Sequence, residues 1–243
     1  MNLQNLVTRA LATLLLVSSD FAQSAPDPSP YQPGVTQAEK AAAERLKRRA
    51  EAGSAEAQNE LSKQYMAGKV FKRSVPEAEK WVRAAAEQGF AEAEVDLAIL
   101  YLDGEGVSRD YAQGFSWMQK AANQGDPRAE YNLGNLYGLG RGVTRNTALG
   151  VQWFLKAAED GSPEGAFKMG IACEQGVMAP RDLVKAYMWY YIGASRYSYA
   201  PSQQVLREIG PKIGPNGIED ARRKAEQWIK AHPKQEPGPY VAP

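Results

Sequence analysis

Asp126-Pro-Arg-Ala-Glu-Tyr-Asn-Leu-Gly-Asn-Leu-Tyr-Gly-Leu-Gly-Arg-Gly-Val143, and then Trp153-Phe-Leu-Lys-Ala-Ala-Glu-Asp-Gly161, contain two helical segments with their punctuation. Asp126 is a helix N-cap and Pro127 sits at the first helical position, where its missing N–H costs nothing. Gly140 stops that segment, because glycine adopts φ > 0 freely. Asn146 caps the second segment and Gly161 closes it.

Outward from this stretch the same signals recur every 36 residues. Trp81, Trp117, Trp153 and Trp189 form one column, Gly53, Gly89, Gly125 and Gly161 a second, and Gly68, Gly104, Gly140 and Gly176 a third. Leu61, Leu97 and Leu133 continue into Met169; Tyr65, Tyr101 and Tyr137 continue into Cys173. First-helix caps recur at Ser54 and at Ser162-Pro163, with Phe90 the exception. Second-helix caps recur at Ser74, Asp110, Asn146 and Asp182. A fixed period of this length predicts helix-turn-helix units that stack to bury their apolar faces, an all-α solenoid. The expected units are 54–89, 90–125, 126–161 and 162–197.

The apolar spacing assigns the packing faces. Ala93, Leu97 and Tyr101 recur at i, i+4 and i+8 as one buried stripe. Ala98, Gly134 and Gly170 beside it are small enough for close helix approach. Trp117 with Ala121, and Trp153 with Ala157, are expected to be core rather than ligand-stacking groups. Each tryptophan brings ~150–250 Å² of buried surface.

The ends differ from the units. Residues 1–25 read as a secretory signal peptide: Arg9, an apolar run Ala10–Val17, then small residues to Ala25. That run is too short for a membrane span, and no cysteine lies near the cleavage site to make a lipid anchor. Residues 26–35, with four prolines, are expected to be a stiff spacer without helix or strand. Residues 36–53 form an N-terminal capping helix in register with the second helices. Residues 198–232 form a C-terminal capping repeat, in which Val205 takes the leucine column. Trp228 falls 39 residues after Trp189, so a loop over Gly210–Gly217 is expected to absorb three positions. Ile218, Ala221, Ala225 and Ile229 then make the inner stripe of the last helix. A proline-rich tail, 233–243, is expected to be unstructured.

Composition bounds the chemistry. With 29 basic and 28 acidic residues, net charge favours no nucleic-acid partner. The run Arg45, Lys47, Arg48, Arg49, with Glu44 and Glu51, reads as a solvated helix face. The single cysteine excludes an internal disulfide framework. Cys173 is either a buried, inert thiol or a group that pairs with another molecule. His232, the one histidine, reads as a favourable charge at a helix C-terminus. Metal sites and nucleophile–histidine pairs need several convergent residues, so no catalytic residue, metal or cofactor is assigned. The Gly-x-Gly pairs at 104/106 and 140/142 follow helices rather than strands and are turn devices. Glu92, Asp96 and Asp103 show no sign of a catalytic carboxylate pair.

The strings 129–143 and 153–161, with Gly104-Glu-Gly-Val107 and Lys120-Ala-Ala122, resemble the Sel-1-like repeat (SLR), a relative of the tetratricopeptide repeat. The likeness covers residues 54–196 and extends weakly to 232; it departs at Gly68-Lys-Val70, Cys173 and Gly176-Val-Met178. It implies a right-handed α-superhelix whose first helices line a concave groove, and an adaptor for protein complexes. Some bacterial members are exported. A cysteine-rich branch linked to cell-wall fragments has a disulfide in each repeat; this chain lacks those cysteines, and that activity is not carried over.

One step round from the core stripe, the first helices carry Glu56, Asn59, Lys63; Glu92, Val95, Ile99, Asp103; Arg128, Tyr131, Asn135, Leu139; and Glu164, Phe167, Ile171. Val95, Ile99, Tyr131, Phe167 and Ile171 are expected to form an apolar strip edged by charge, suited to a peptide or helix. Glu92, Asp103, Arg128 and Asn135 are the polar candidates. The competing reading packs these residues against the neighbouring repeat. Tyr187, Tyr190, Tyr191, Tyr197 and Tyr199 are either a second contact surface or terminal core. The leading expectation is a periplasmic or secreted scaffold, monomeric in isolation, that binds a protein or peptide in its groove. The alternative is a glycan-binding envelope module, and a hydrolase is disfavoured.

Overall fold

The computed structural model describes residues 29–233. The expected signal peptide, the first positions of the spacer and nearly all of the tail lie outside the described residues. Within them ten α-helices succeed one another: α1 (Gln37–Glu51), α2 (Ala55–Ala67), α3 (Val75–Glu87), α4 (Ala91–Asp103), α5 (Tyr111–Asn123), α6 (Pro127–Leu139), α7 (Thr147–Glu159), α8 (Pro163–Gln175), α9 (Leu183–Tyr197) and α10 (Ala200–Ala231). Each packs chiefly on the helix before and after it, which makes an all-α solenoid. None of these helices is long and apolar enough to cross a membrane.

The caps act where the sequence puts them. Ser54, Ser74, Asp110, Asp126, Asn146, Ser162 and Asp182 each accept a first-turn N–H, while Phe90 caps α4 without a side-chain bond. Thr36 and Glu39 form a reciprocal capping box on α1. The helices α6 and α7 cross closely: a Cβ on Gly150 would lie 2.8 Å from the Gly134 carbonyl oxygen.

Ala93, Leu97 and Leu133 are fully buried. The tryptophan column is less uniform than its spacing suggests. Trp189 is buried at 3% exposure, with Trp228 edge-on at 5.2 Å between centroids. Trp81, Trp117 and Trp153 are only half-buried. Lysine ammonium groups cover their outer faces: Lys80 at 4.9 Å, Lys120 at 3.6 Å and Lys156 at 5.9 Å. Full burial needs the extra layer that α10 lays over α9.

Both ends depart from expectation. The loop over 210–217 is absent; α10 continues, and only Gly214 (φ 68°, ψ 175°) leaves helical geometry. Pro215 restarts the helix, so one glycine–proline step replaces a loop. The described part of the spacer, from residue 29, packs against the first unit, a contact that its sequence did not lead one to expect. Tyr31 is buried, stacked on Phe71 at 5.3 Å, and Phe71 is stacked on Tyr65 at 4.7 Å. Gln32 N donates to Val70 O and Lys72 N donates to Pro30 O, both at 2.8 Å. The Tyr31 hydroxyl donates to Glu44; burial and that carboxylate push it up to about 12.

Candidate functional site

The first-helix face divides the expected groove residues. Val95 is withdrawn from it: at 1% exposure it packs with Ala98, Met118 and Leu133 in the core. Its column, Asn59, Val95, Tyr131 and Phe167, points between helices. Tyr131 lies 5.9 Å from the Phe154 ring, and Phe167 lies 5.3 Å from Tyr190 and 5.7 Å from Tyr199. The next column round, Lys63, Ile99, Asn135 and Ile171, is the one that reaches the surface. Ile99 is 40% exposed.

At the N-terminal half this face is charged. Lys63 pairs with Glu92 at 2.6 Å and with Asp96 at 3.9 Å, and Arg128 pairs with Asp126 at 3.3 Å. Burial raises the Asp96 carboxyl above its ordinary range, and Lys63 and Arg128 offset part of that rise. Asp103 is exposed at the end of its helix. At the C-terminal half the face is apolar. Asn135, whose amide donates to the Tyr131 carbonyl at 3.2 Å, joins Leu139, Phe154, Lys168, Ile171 and Val177 around a cavity of about 240 Å³. Leu139 is 61% exposed.

Beneath this face lies a buried polar column that the apolar periodicity conceals. Gln58 accepts from Gln88 at 2.7 Å, Glu94 accepts from Gln124 at 2.8 Å, and Glu130 pairs with Lys156. Glu130 is fully buried, and desolvation pushes its carboxyl up to about 7 despite Lys156. A carboxyl whose folded value lies above its unfolded one loses stability as it ionises. Stability should therefore fall by about 1–3 kcal/mol as pH rises from about 4.5 to 7, and level off above that. Glu130→Gln, which keeps an acceptor for Lys156 and supplies a donor towards Asp160, should abolish that slope. Thermal melts of both chains from pH 4.5 to 8 check this; parallel slopes would show that another group titrates.

A second opening lies on the other side of α8. The residues that line it recur at every unit junction, at positions 43, 79, 115 and 151, in the tyrosine column, and in the loop after the first helix. At the first junction Ala43 leaves space, and Tyr31 enters it from outside. At the second, Arg83 pairs with Glu79 and donates to the Tyr101 hydroxyl at 2.9 Å. At the third, Phe115 and Tyr137 meet edge-to-face at 5.4 Å. At the fourth the equivalents are Val151 and Cys173, and a cavity of about 700 Å³ remains, walled by Leu155, Met169 and Leu183. Cys173 thus borders a cavity rather than filling the core; its half-buried thiol is pushed above its ordinary range by desolvation. The tyrosines near the last unit are mainly core: Tyr187 and Tyr190 are buried, and the Tyr190 hydroxyl donates to Glu174 at 3.1 Å. His232 stacks on Trp228 at 4.3 Å. Among the described residues no cluster of His, Cys, Asp and Glu is arranged to hold a metal ion.

A profile of the Sel1 repeat matches residues 55–90, 91–126, 127–162 and 163–198, one residue later than the units drawn from the caps. Among solved structures, the chain is similar to a Sel1 repeat protein from Oxalobacter formigenes. The identity is 30% and the TM-score 0.69, over 82% of this chain and 80% of that one. It is also similar, at 39% identity and a TM-score of 0.67, to c5321, a protective antigen present in uropathogenic Escherichia coli strains and displaying an SLR fold. That match covers 77% of this chain but 40% of the other, so the chain spans less than half of that relative. A Sel1 repeat protein from Klebsiella pneumoniae, at 22% identity and a TM-score of 0.51, shares the fold. No curated protein matches significantly.

Proposed function

The chain belongs to the Sel1 repeat family, and from that premise we propose that it is an exported adaptor that holds a protein or peptide on its first-helix face. Sel1 repeat proteins are generally protein-interaction scaffolds, and the family is typically non-catalytic. The observation that carries the reading is where the large apolar side chains remain exposed. Among the described residues these are Ile99, Leu139, Val177 and Met178; Met178 lines the second opening, and the other three belong to this face. Ile99 lies in the second half of α4, Leu139 ends α6, and Val177 and Met178 follow α8. Ile171 and Asn135 line the cavity beside Leu139. Clustered exposed apolar groups beside polar ones are what an interface core and rim require. Ile99, Leu139 and Ile171 act as anchors, and Glu92, Asp103, Arg128 and Asn135 set register and charge preference. Residues 1–25 direct the chain to the periplasm or outside the cell, where it is a monomer until it meets its partner.

The test is Ile99→Glu with Leu139→Glu. Both side chains are already exposed, so the melting temperature should shift by less than about 3 °C, as for ordinary surface changes. Pull-down from an envelope extract should lose the protein recovered by the parent chain. Equal recovery by the variant would remove this face from the interaction. Recovery of peptidoglycan fragments alone would favour a glycan-binding module.

A further inference from the structure

We infer that the open recess at the fourth junction docks a partner protein, by taking an aromatic side chain from an extended partner segment in which acidic residues precede the aromatic one. This site is separate from the first-helix face and does not depend on its reading.

The first junction shows how such a recess is filled from outside the repeats. Tyr31 arrives on an extended segment that runs antiparallel to the loop after α2. Gln32 N donates to Val70 O, and Lys72 N donates to Pro30 O. Beside Tyr31 an opening of about 490 Å³ remains, walled in part by Lys47, Tyr65, Arg73, Ser74 and Glu77. Three periods on, these positions are Leu155, Cys173, Arg181, Asp182 and Lys185, and all five line the larger cavity at the fourth junction. The two openings are thus one recess, with a ring seated in the first copy. The second and third junctions supply rings from within, Tyr101 beneath Arg83 and Phe115 against Tyr137. At the fourth, Cys173 and Ala179 stand where Tyr65 and Phe71 stack beside Tyr31, so the ring has to come from elsewhere. Gln152 lines the cavity where Glu44 accepts from the Tyr31 hydroxyl, and its amide can pair with a phenol.

The mouth sets the charge. In the antiparallel register, residue 30 faces position 72, so residues further before the ring approach positions 73 and 74. Their fourth-junction counterparts are Arg181 and Asp182, with Lys185 one turn into α9. Arg181 and Lys185 are exposed, and among the described residues neither side chain makes an ion pair. The Asp182 carboxylate is held as the α9 cap, accepting from Lys185 N at 2.8 Å. Two cations against one carboxylate favour acidic residues ahead of the ring. Pro180 replaces Lys72 and has no N–H, so one backbone bond is lost and ring burial and charge carry the contact.

Cys173 is the single cysteine and lines the recess, so its alkylation reports occupancy. The probe is the synthetic peptide acetyl-Glu-Glu-Pro-Tyr-Gln-amide. At saturation it should slow alkylation of Cys173 by iodoacetamide at least about tenfold, as for a site more than about nine-tenths occupied. Alanine in place of its tyrosine should abolish protection. Lysines in place of its glutamates should raise the half-protecting concentration about tenfold. In the chain carrying Arg181→Glu and Lys185→Glu, the preference between acidic and basic peptides should reverse. Val151→Phe supplies from within the ring that Phe115 supplies at the third junction; Cys173 should then react slowly with or without peptide. A melting temperature within about 3 °C of the parent's shows that this variant folds. No protection by the acidic peptide, or equal protection by the alanine peptide, would overturn the proposal. Equal protection by N-acetyltyrosine amide at the same concentration would also overturn it, by assigning the recess to a small aromatic molecule. The chain carrying Ile99→Glu and Leu139→Glu should be protected as the parent is, so the two sites stand or fall separately.

Discussion

Trp189→Ala is expected to cost about 3–5 kcal/mol, the usual range for truncating a buried aromatic, and to melt the C-terminal units first. Trp189 is 3% exposed and packs among Tyr190, Ile192, Ile209 and Ala221. Its ring holds Trp228 edge-on at 5.2 Å and 68°, so removing it leaves a cavity on both sides of the α9–α10 contact. The indole N–H has no acceptor among the described residues, so no hydrogen bond is lost and the cost is packing alone. Trp153→Ala, at the same column position 36 residues earlier, should cost only about 1–2 kcal/mol because its ring is half-exposed under Lys156. Urea denaturation monitored by far-UV circular dichroism separates the two. A solenoid sums local stabilities, so Trp189→Ala should also broaden the transition as terminal units uncouple. Equal costs for the two tryptophans would mean that burial does not rank this column.

The difference between these two tryptophans marks what the sequence can and cannot convey. Period, caps and the buried stripe were legible because each depends on neighbours within one or two turns: Asp126 finds its N–H at Ala129, and Gly140 stops its own helix. How far each tryptophan is covered depends on which helix packs outside it, and only α9 has α10 there. The same limit explains Val95. Its place one step round the helix suggested the groove, yet the next first helix, with Ala129 and Leu133, closes over that column. Ile99, one turn on, falls just beyond the contact. Tyr31 was hidden for a related reason. The four prolines of its segment led to the expectation of a stiff spacer and contain no information about Phe71, forty residues away. Glu94 and Glu130 were masked because a buried polar residue inside an apolar stripe looks like surface until its partner, Gln124 or Lys156, is seen. The fourth recess was half legible. Cys173 and Met178 broke their columns visibly, but that Val151 left space at the same point required the junction to be assembled.

Gly142→Ala is expected to be among the most damaging single-methyl additions in the chain, at about 3 kcal/mol or more, because strain and overlap fall on one atom. Gly142 has φ +73°, and a Cβ there would lie 2.0 Å from the Tyr111 carbonyl oxygen and 2.5 Å from its carbon. Neither is the end of a side chain that can rotate away. Tyr111 begins α5, so relief requires moving the loop of one unit off the second helix of the unit before it. Gly106, one period earlier, would meet the tip of Val75 at 2.2 Å, and rotation of Val75 should reduce that cost to about 2 kcal/mol. Gly89 has φ +78° with nothing within 4 Å; alanine there bears the left-handed backbone alone, about 1 kcal/mol. Denaturation midpoints of the three alanine variants should fall in the order Gly89, Gly106, Gly142, from least to most destabilised. The fourth unit has already made this change, with Met178 at the Gly142 position and 53% exposed. Met178 lines the open recess, so the same overlap, shifted by one period to Thr147, is the expected reason that the recess stays open there. If Gly142→Ala proved no worse than Gly89→Ala, the loop would not be seated by this contact, and Met178 would lose its part in opening the recess.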